Sequence, residues 1–156
     1  MMKSYDDFIR DCLAQVAEVF PWDLVEELEQ NPELYVLDVN EPYEFQRAHI
    51  PNSINVPRGI LESACEYDYD ETIPELANGR DRDIVVICRS GKRSVLAAFT
   101  LQTMGFNKVR SLKTGLRGWN DDEYPLEDSQ GKSVDPDAAE DYYTTRLRPE
   151  QRKPVG

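Results

Sequence analysis

The stretch Asp83–Gly105, DIVVICRSGKRSVLAAFTLQTMG, decides how this chain is read. Its unbroken apolar run, Ile84–Ile87, predicts a strand buried on both faces, of the kind found in parallel sheets. Its second half, Ser94–Met104, is mostly apolar and long enough for a helix, with Gly105 placed to close it in the left-handed conformation. Between strand and helix lies Cys88, followed by Arg89, Ser90, Gly91, Lys92 and Arg93. A thiol at that turn faces successive backbone N–H groups and a helix N-terminus, with three cationic side chains close by in sequence. Such surroundings favour thiolate over thiol at neutral pH. The stretch therefore proposes a nucleophile, and by itself leaves its electrophile open.

Working outward, Tyr5, Phe8, Ile9, Cys12, Leu13, Val16 and Phe20 recur at intervals of three and four, predicting one amphipathic helix within residues 1–20. Cys12 lies on its apolar stripe and reads as a structural thiol. Trp22–Gln30 reads as a second helix, broken at Asn31-Pro32. Short strands are expected at Leu34–Val39, Ile54–Val56 and Lys108–Leu112, and helices at Tyr43–Ala48, Gly59–Glu66 and Leu116–Asn120. This alternation predicts an α/β domain over residues 21–125, built on a central, largely parallel sheet flanked by helices. Ligands of such sheets bind beyond the carboxyl ends of the strands, where Cys88 and Asp38 both fall. Residues 126–156 form an acidic and then basic tail. Asp135-Pro136 opens a short helix there, ending near Tyr143, and the tail is expected to pack lightly.

Composition narrows the classes. The 156 residues carry a formal net charge of -12, which argues against general affinity for nucleic acid or anionic membranes. Three cysteines, Cys12, Cys65 and Cys88, make an odd count without a C-x-x-C pair. With a polar, acidic start, they point to a reducing, cytoplasmic setting. No apolar run reaches the roughly 18 residues of a membrane-crossing helix. His49, the only histidine, has no companion ligands at metal spacing and reads as a hydrogen-bonded turn or core residue.

Four segments in order, LDVNEPYEF (Leu37–Phe45), HIPNSINVP (His49–Pro57), IVVICRSGKRS (Ile84–Ser94) and LKTGLRGW (Leu112–Trp119), resemble the single-domain rhodanese-like sulfurtransferases. The resemblance covers residues 21–125 and implies a rhodanese fold with a persulfide-forming cysteine at Cys88. It also implies a sulfane sulfur donor, thiosulfate or glutathione persulfide, and a thiol or cyanide acceptor, without metal or cofactor. The chain departs from the family at Asn40, where Arg is frequent, at Ala48 and Asn52, where Gly is frequent, and at Thr114-Gly115, where the family has a Gly pair. The loss of arginine at Asn40 leaves Arg89, Lys92 and Arg93 to set donor preference.

In this reading the Cys88 thiolate takes the outer sulfur of the donor and passes it on in a second step. Backbone N–H groups from Arg89 to Ser94, including Ser90 and Gly91, hold the persulfide, and Arg89, Lys92 and Arg93 hold an anionic donor. Asp38 orients a loop cation or caps a backbone group. Arg58 is a candidate at the pocket mouth, Trp119 reads as core, and Cys65 as an inert thiol. The loop is C-x4-R, shorter than the C-x5-R of phosphatase relatives, which disfavours phosphoryl chemistry and leaves a phosphatase or arsenate reductase a distant reading. Two further readings stay open. One is a protein-to-protein sulfur relay whose terminal extensions recognise a partner or form a homodimer. The other is a non-catalytic interaction module.

Overall fold

The computed structural model describes residues 1–155. The first helix, α1 (Tyr5–Leu13), opens with a reciprocal cap between Ser4 and Asp7, and Asp6 and Asp7 in its first turn suit the positive end of the helix dipole. The helix stops at Leu13, where one helix reaching toward residue 20 was expected. Ala17–Val19 instead form strand β1, which pairs in parallel with β5 (Val109–Leu112). Helical spacing lost there to an open edge: β5 offers a row of backbone partners that a local pattern does not reveal.

The remaining strands are β2 (Tyr35–Asp38), β3 (Ile54–Asn55) and β4 (Ile84–Ile87). Together they make a five-stranded parallel sheet in the order β1-β5-β4-β2-β3. The central pair β4 and β2 is buried along its whole length, as the apolar runs require.

Successive side chains on these strands feed two cores, one per face. On the first face Ile84, Val86 and Cys88 join Leu37, with Ile9 and Cys12 of α1, Leu61 and Ala64 of α4 (Leu61–Ala64), and Val95, Ala98 and Leu101 of α6 (Lys92–Thr103). On the second, Val85 and Ile87 meet Leu24 of α2 (Pro21–Gln30), Leu116 and Trp119 of α7 (Gly115–Asp121), and Ala139 and Tyr143 of α8 (Pro136–Tyr143). The connections are completed by α3 (Pro42–Arg47) and α5 (Pro74–Ala77). The helix read over Gly59–Glu66 is a 3-10 turn, Arg58–Ile60, running into α4.

The tail departs from its expected light packing. Ala139 and Tyr143 are buried in the second core, and Glu127 bridges to His49 and Ser133. The tail runs exposed at Ser129–Ser133 and again from Thr144 to Val155. Pro136 opens α8 with its fixed φ, while Asp135 makes no side-chain cap. At the end of α6, Gly105 takes a φ of +95°, the left-handed residue that a helix C-terminus favours.

Candidate active site

Cys88 is the first residue past β4 and is fully buried. Its Sγ accepts the Gly91 N–H at 3.1 Å and the Ser94 N–H at 3.3 Å, and lies 3.4 Å from the Ser94 hydroxyl. That hydroxyl is 2.7 Å from the hydroxyl of Ser111 on β5, and both serines are buried. Two amides directed at one sulfur form a small cradle that favours negative charge there.

The loop folds this way because its carbonyls are held outward. The Leu116 N–H donates to the Cys88 carbonyl at 2.9 Å and the Arg117 N–H to that of Arg89 at 3.0 Å. These free amides belong to the first turn of α7, so the start of one helix fixes the loop that starts another. Gly91 turns the chain inward at a φ of +88°. Gly115, at +62°, permits the approach: a Cβ there would stand 2.5 Å from the Cys88 carbonyl oxygen. Of the residues that depart from the family pattern, Asn52 and Thr114 have φ of 69° and 67°. These are conformations in which glycine is unstrained, and a β-branched threonine is strained.

The loop's cations already have partners. Arg89 donates to the Tyr143 carbonyl at 2.9 Å. Lys92 pairs with Asp6 at 3.0 Å, its Nζ 5.6 Å from the centre of the Tyr5 ring. Arg93 reaches both oxygens of Glu44, at 2.9 and 3.0 Å, and the Asn40 side-chain oxygen at 3.0 Å. Burial pushes the Glu44 carboxyl up, but Arg93 and the Glu41 N–H outweigh it and hold it below its ordinary value. Arg58 is tied to Glu62 and the Thr100 hydroxyl, at 3.0 and 3.1 Å. Ser90 is an exposed turn residue.

Asp38 is buried at the end of β2, and strand alternation turns it to the sheet face opposite Cys88. Its Oδ1 accepts the Asn40 N–H at 2.9 Å, while Oδ2 has no partner among the described residues. Burial pushes its carboxyl up to about 7, against the opposing effect of the Asn40 amide. The Tyr143 hydroxyl is likewise buried without a partner, and burial, followed by the charge of Asp38, pushes it up.

Sequence reading missed Glu44, Asn40's contact with Arg93, Ser111 and Tyr5. Each acts across the fold, and only the acid following Glu41-Pro42 carried a local signal, as the reciprocal cap of α3. Cys65 is buried, and burial pushes its thiol up to about 11, as expected of an unreactive residue. His49 stacks on Phe45, with Nδ1 2.8 Å from the Phe45 carbonyl. Trp119 is core, its indole donating to the Pro125 carbonyl. Among the described residues no cluster fits a metal ion, and no helix is long and apolar enough to cross a membrane. A polar groove of about 460 Å³ beside Arg47 and Tyr142, and an apolar pocket of about 370 Å³ beside Leu28 and Trp119, both lie away from Cys88. Neither is lined by Cys88 or by the residues of its loop.

A family model described as a rhodanese-like domain matches residues 21–122. A putative sulfur carrier protein of Bacillus subtilis is 36% identical over 94 residues, which cover 60% of this chain and 45% of the relative. A thiosulfate sulfurtransferase of Arabidopsis thaliana is 35% identical over 98 residues, covering 58% of this chain and 69% of that protein. The chain thus spans just under half the length of the first relative. Among solved structures, a Rhodopseudomonas palustris protein of unknown function, described as a possible tyrosine phosphatase, has a TM-score of 0.74. It covers 81% of this chain and 96% of its own, at 24% identity, a likeness of fold.

Proposed function

The chain belongs to the rhodanese-like family, and from that premise we propose that it transfers sulfane sulfur through a persulfide on Cys88. The observation that carries the reading is the pair of amides, Gly91 and Ser94, directed at one buried sulfur. The Cys88 thiolate attacks the outer sulfur of the donor and forms a new S–S bond. The donor's own bond to that sulfur breaks, and the electron pair leaves with the remainder, sulfite from thiosulfate or a thiolate from glutathione persulfide. An acceptor thiolate then attacks the outer sulfur of the Cys88 persulfide, carries it away as its own persulfide, and returns Cys88 as thiolate. The two amides stabilise negative charge in both steps without reorganising. The exchange needs no metal or cofactor. It suits a reducing compartment, in keeping with three free cysteines.

The compensated cations favour a protein donor or acceptor over a small dianion. Arg93 is neutralised by Glu44 and Lys92 by Asp6, so thiosulfate meets little uncompensated positive charge from either. The relay form of the reaction is the reading this favours.

Intact mass after incubation with thiosulfate, and separately with glutathione persulfide, tests the proposal. One added sulfur is expected, removed by cyanide or reductant and absent from Cys88→Ser. No gain from either donor would overturn sulfur transfer altogether. Loading by glutathione persulfide with little turnover to cyanide would select the relay form.

A further inference from the structure

We infer that the exposed Phe20–Trp22 pair is a docking platform for a polypeptide that delivers or receives sulfur at Cys88. The inference rests on the sulfur-transfer reading of Cys88 and names the substrate class it serves: a protein cysteine flanked by an apolar anchor and a carboxylate.

Register places the platform beside the sulfur. Val19 pairs with Leu112, and Val86 with Ser111, so continuing the first ladder by one residue and the second by two sets Phe20, Lys113 and Cys88 level across β1, β5 and β4. Two inter-strand spacings put the Phe20 and Cys88 backbones about 10 Å apart, at the same carboxyl edge of the sheet. Phe20 and Trp22 stack on each other, 4.7 Å between ring centres and 10° between planes, and remain 39% and 51% exposed. An exposed, pre-stacked Phe–Trp pair is a large apolar surface with little rotamer freedom left to lose on binding.

Charge identifies the occupant. Lys113 lies with its Nζ 5.0 Å from the Phe20 ring centre, is exposed, and forms no ion pair among the described residues. Lys92 and Arg93, nearer the sulfur in sequence, are paired internally. Arg89, next to the sulfur, has no carboxylate partner among the described residues and is held on the Tyr143 carbonyl, on the second-core side, whereas Lys113 is the cation without an ion pair that stands over the aromatic platform. A small dianionic donor uses only the charge of Lys113 and leaves the aromatic pair uncovered. A polypeptide gains from all of it: an apolar or aromatic side chain on the platform, a carboxylate on Lys113, and a cysteine about three extended residues further on, which spans about 10 Å.

The test uses two labelled peptides, one with Phe-Glu placed three residues before a cysteine and one with Ala-Gln there. Each is measured for sulfur transfer from persulfide-loaded protein, as a rate relative to glutathione. Binding is measured separately by fluorescence anisotropy, using peptides with serine in place of cysteine and protein that has not been loaded. The anchored peptide is expected to bind more tightly and to react about tenfold faster than the anchorless one. Both advantages are expected to fall to near unity in F20A/W22A and to weaken in K113E, with far-ultraviolet circular dichroism and melting temperature confirming that these variants fold. Equal binding of the two peptides overturns the inference, as does an advantage that survives in F20A/W22A. A homodimer that dissociates in F20A/W22A also overturns it, since the platform would then join two copies of the chain. Because binding is read on unloaded protein, failure of Cys88 to accept sulfur tells against the transfer reading and not against the platform.

Discussion

At Asp38 the fold holds a carboxyl with one oxygen capped and the other bare. The neutral acid tolerates that setting better than the anion, so its pKa in the folded chain, about 7, lies above the ordinary 3.8. The folded state then binds more protons than the unfolded state between those values, and stability falls as pH rises from about 4 to about 7. The full difference is on the order of 4 kcal/mol. Asp38→Asn keeps the acceptor for the Asn40 N–H and cannot ionise. Urea unfolding is expected to show this variant more stable than the parent at pH 8, and its stability nearly flat from pH 4 to 7. Glu44 is the converse case, because its charge is wanted by Arg93. Glu44→Gln leaves that guanidinium without a counter-charge and should lower stability by about 1–3 kcal/mol, less than for a fully buried pair. It should also raise loading by thiosulfate relative to glutathione persulfide by a few-fold, read as the fraction of protein gaining one sulfur.

At the scale of elements, the Cys88 loop and α7 are one device. The α7 amides pull two loop carbonyls outward, and the loop's own amides thereby turn toward sulfur. Gly115 is the contact that allows it. Gly115→Ala would set a Cβ 2.5 and 2.6 Å from the carbonyl oxygens of Cys88 and Arg89, so it is expected to destabilise by more than about 2 kcal/mol and to abolish persulfide loading. Gly131 is the control. It has a similar φ, +77°, but nothing within 4 Å of the added carbon, so Gly131→Ala should cost only about 1 kcal/mol and leave loading intact. Urea midpoints and intact masses of the two variants decide the matter. The glycines of the loop could be read in sequence as permissive residues. That Gly115 meets the carbonyls of Cys88 and Arg89, more than 20 positions earlier, could not, because nothing local encodes that contact.

For the molecule as a whole, the terminal segments are part of the packing. Strand β1 completes one edge of the sheet, α1 closes the first core, and α8 closes the second. Arg89 ties the carbonyl end of α8 to the Cys88 loop, so the tail also reaches the candidate site. Truncation after Leu126 should expose the Trp119 side of the second core and lower the melting temperature by more than 10 °C, or prevent folding, since several kcal/mol of apolar burial are lost. Truncation after Thr145 removes, among the described residues, only exposed ones and should leave the melting temperature within about 3 °C. Thermal unfolding followed by circular dichroism separates the two.

The sequence by itself determined the cysteine loop between strand and helix, the parallel central strands and the helix that follows. Those depend on local patterns: an apolar run, a glycine at a forced turn, and a cysteine between them. It also supported the resemblance that places the chain in its family. Only the tertiary structure decided that Ala17–Val19 joins the sheet, that α8 belongs to the core, that Asp38 turns away from the sulfur, and that the loop's cations are already paired. Ion pairs and edge strands join residues distant in sequence. Arg93 and Glu44 are 49 positions apart, and Lys92 and Asp6 are 86 apart. Charge counted along the chain gave a loop with three free cations, whereas charge placed in space pairs Lys92 and Arg93 with carboxylates and holds Arg89 on a backbone carbonyl.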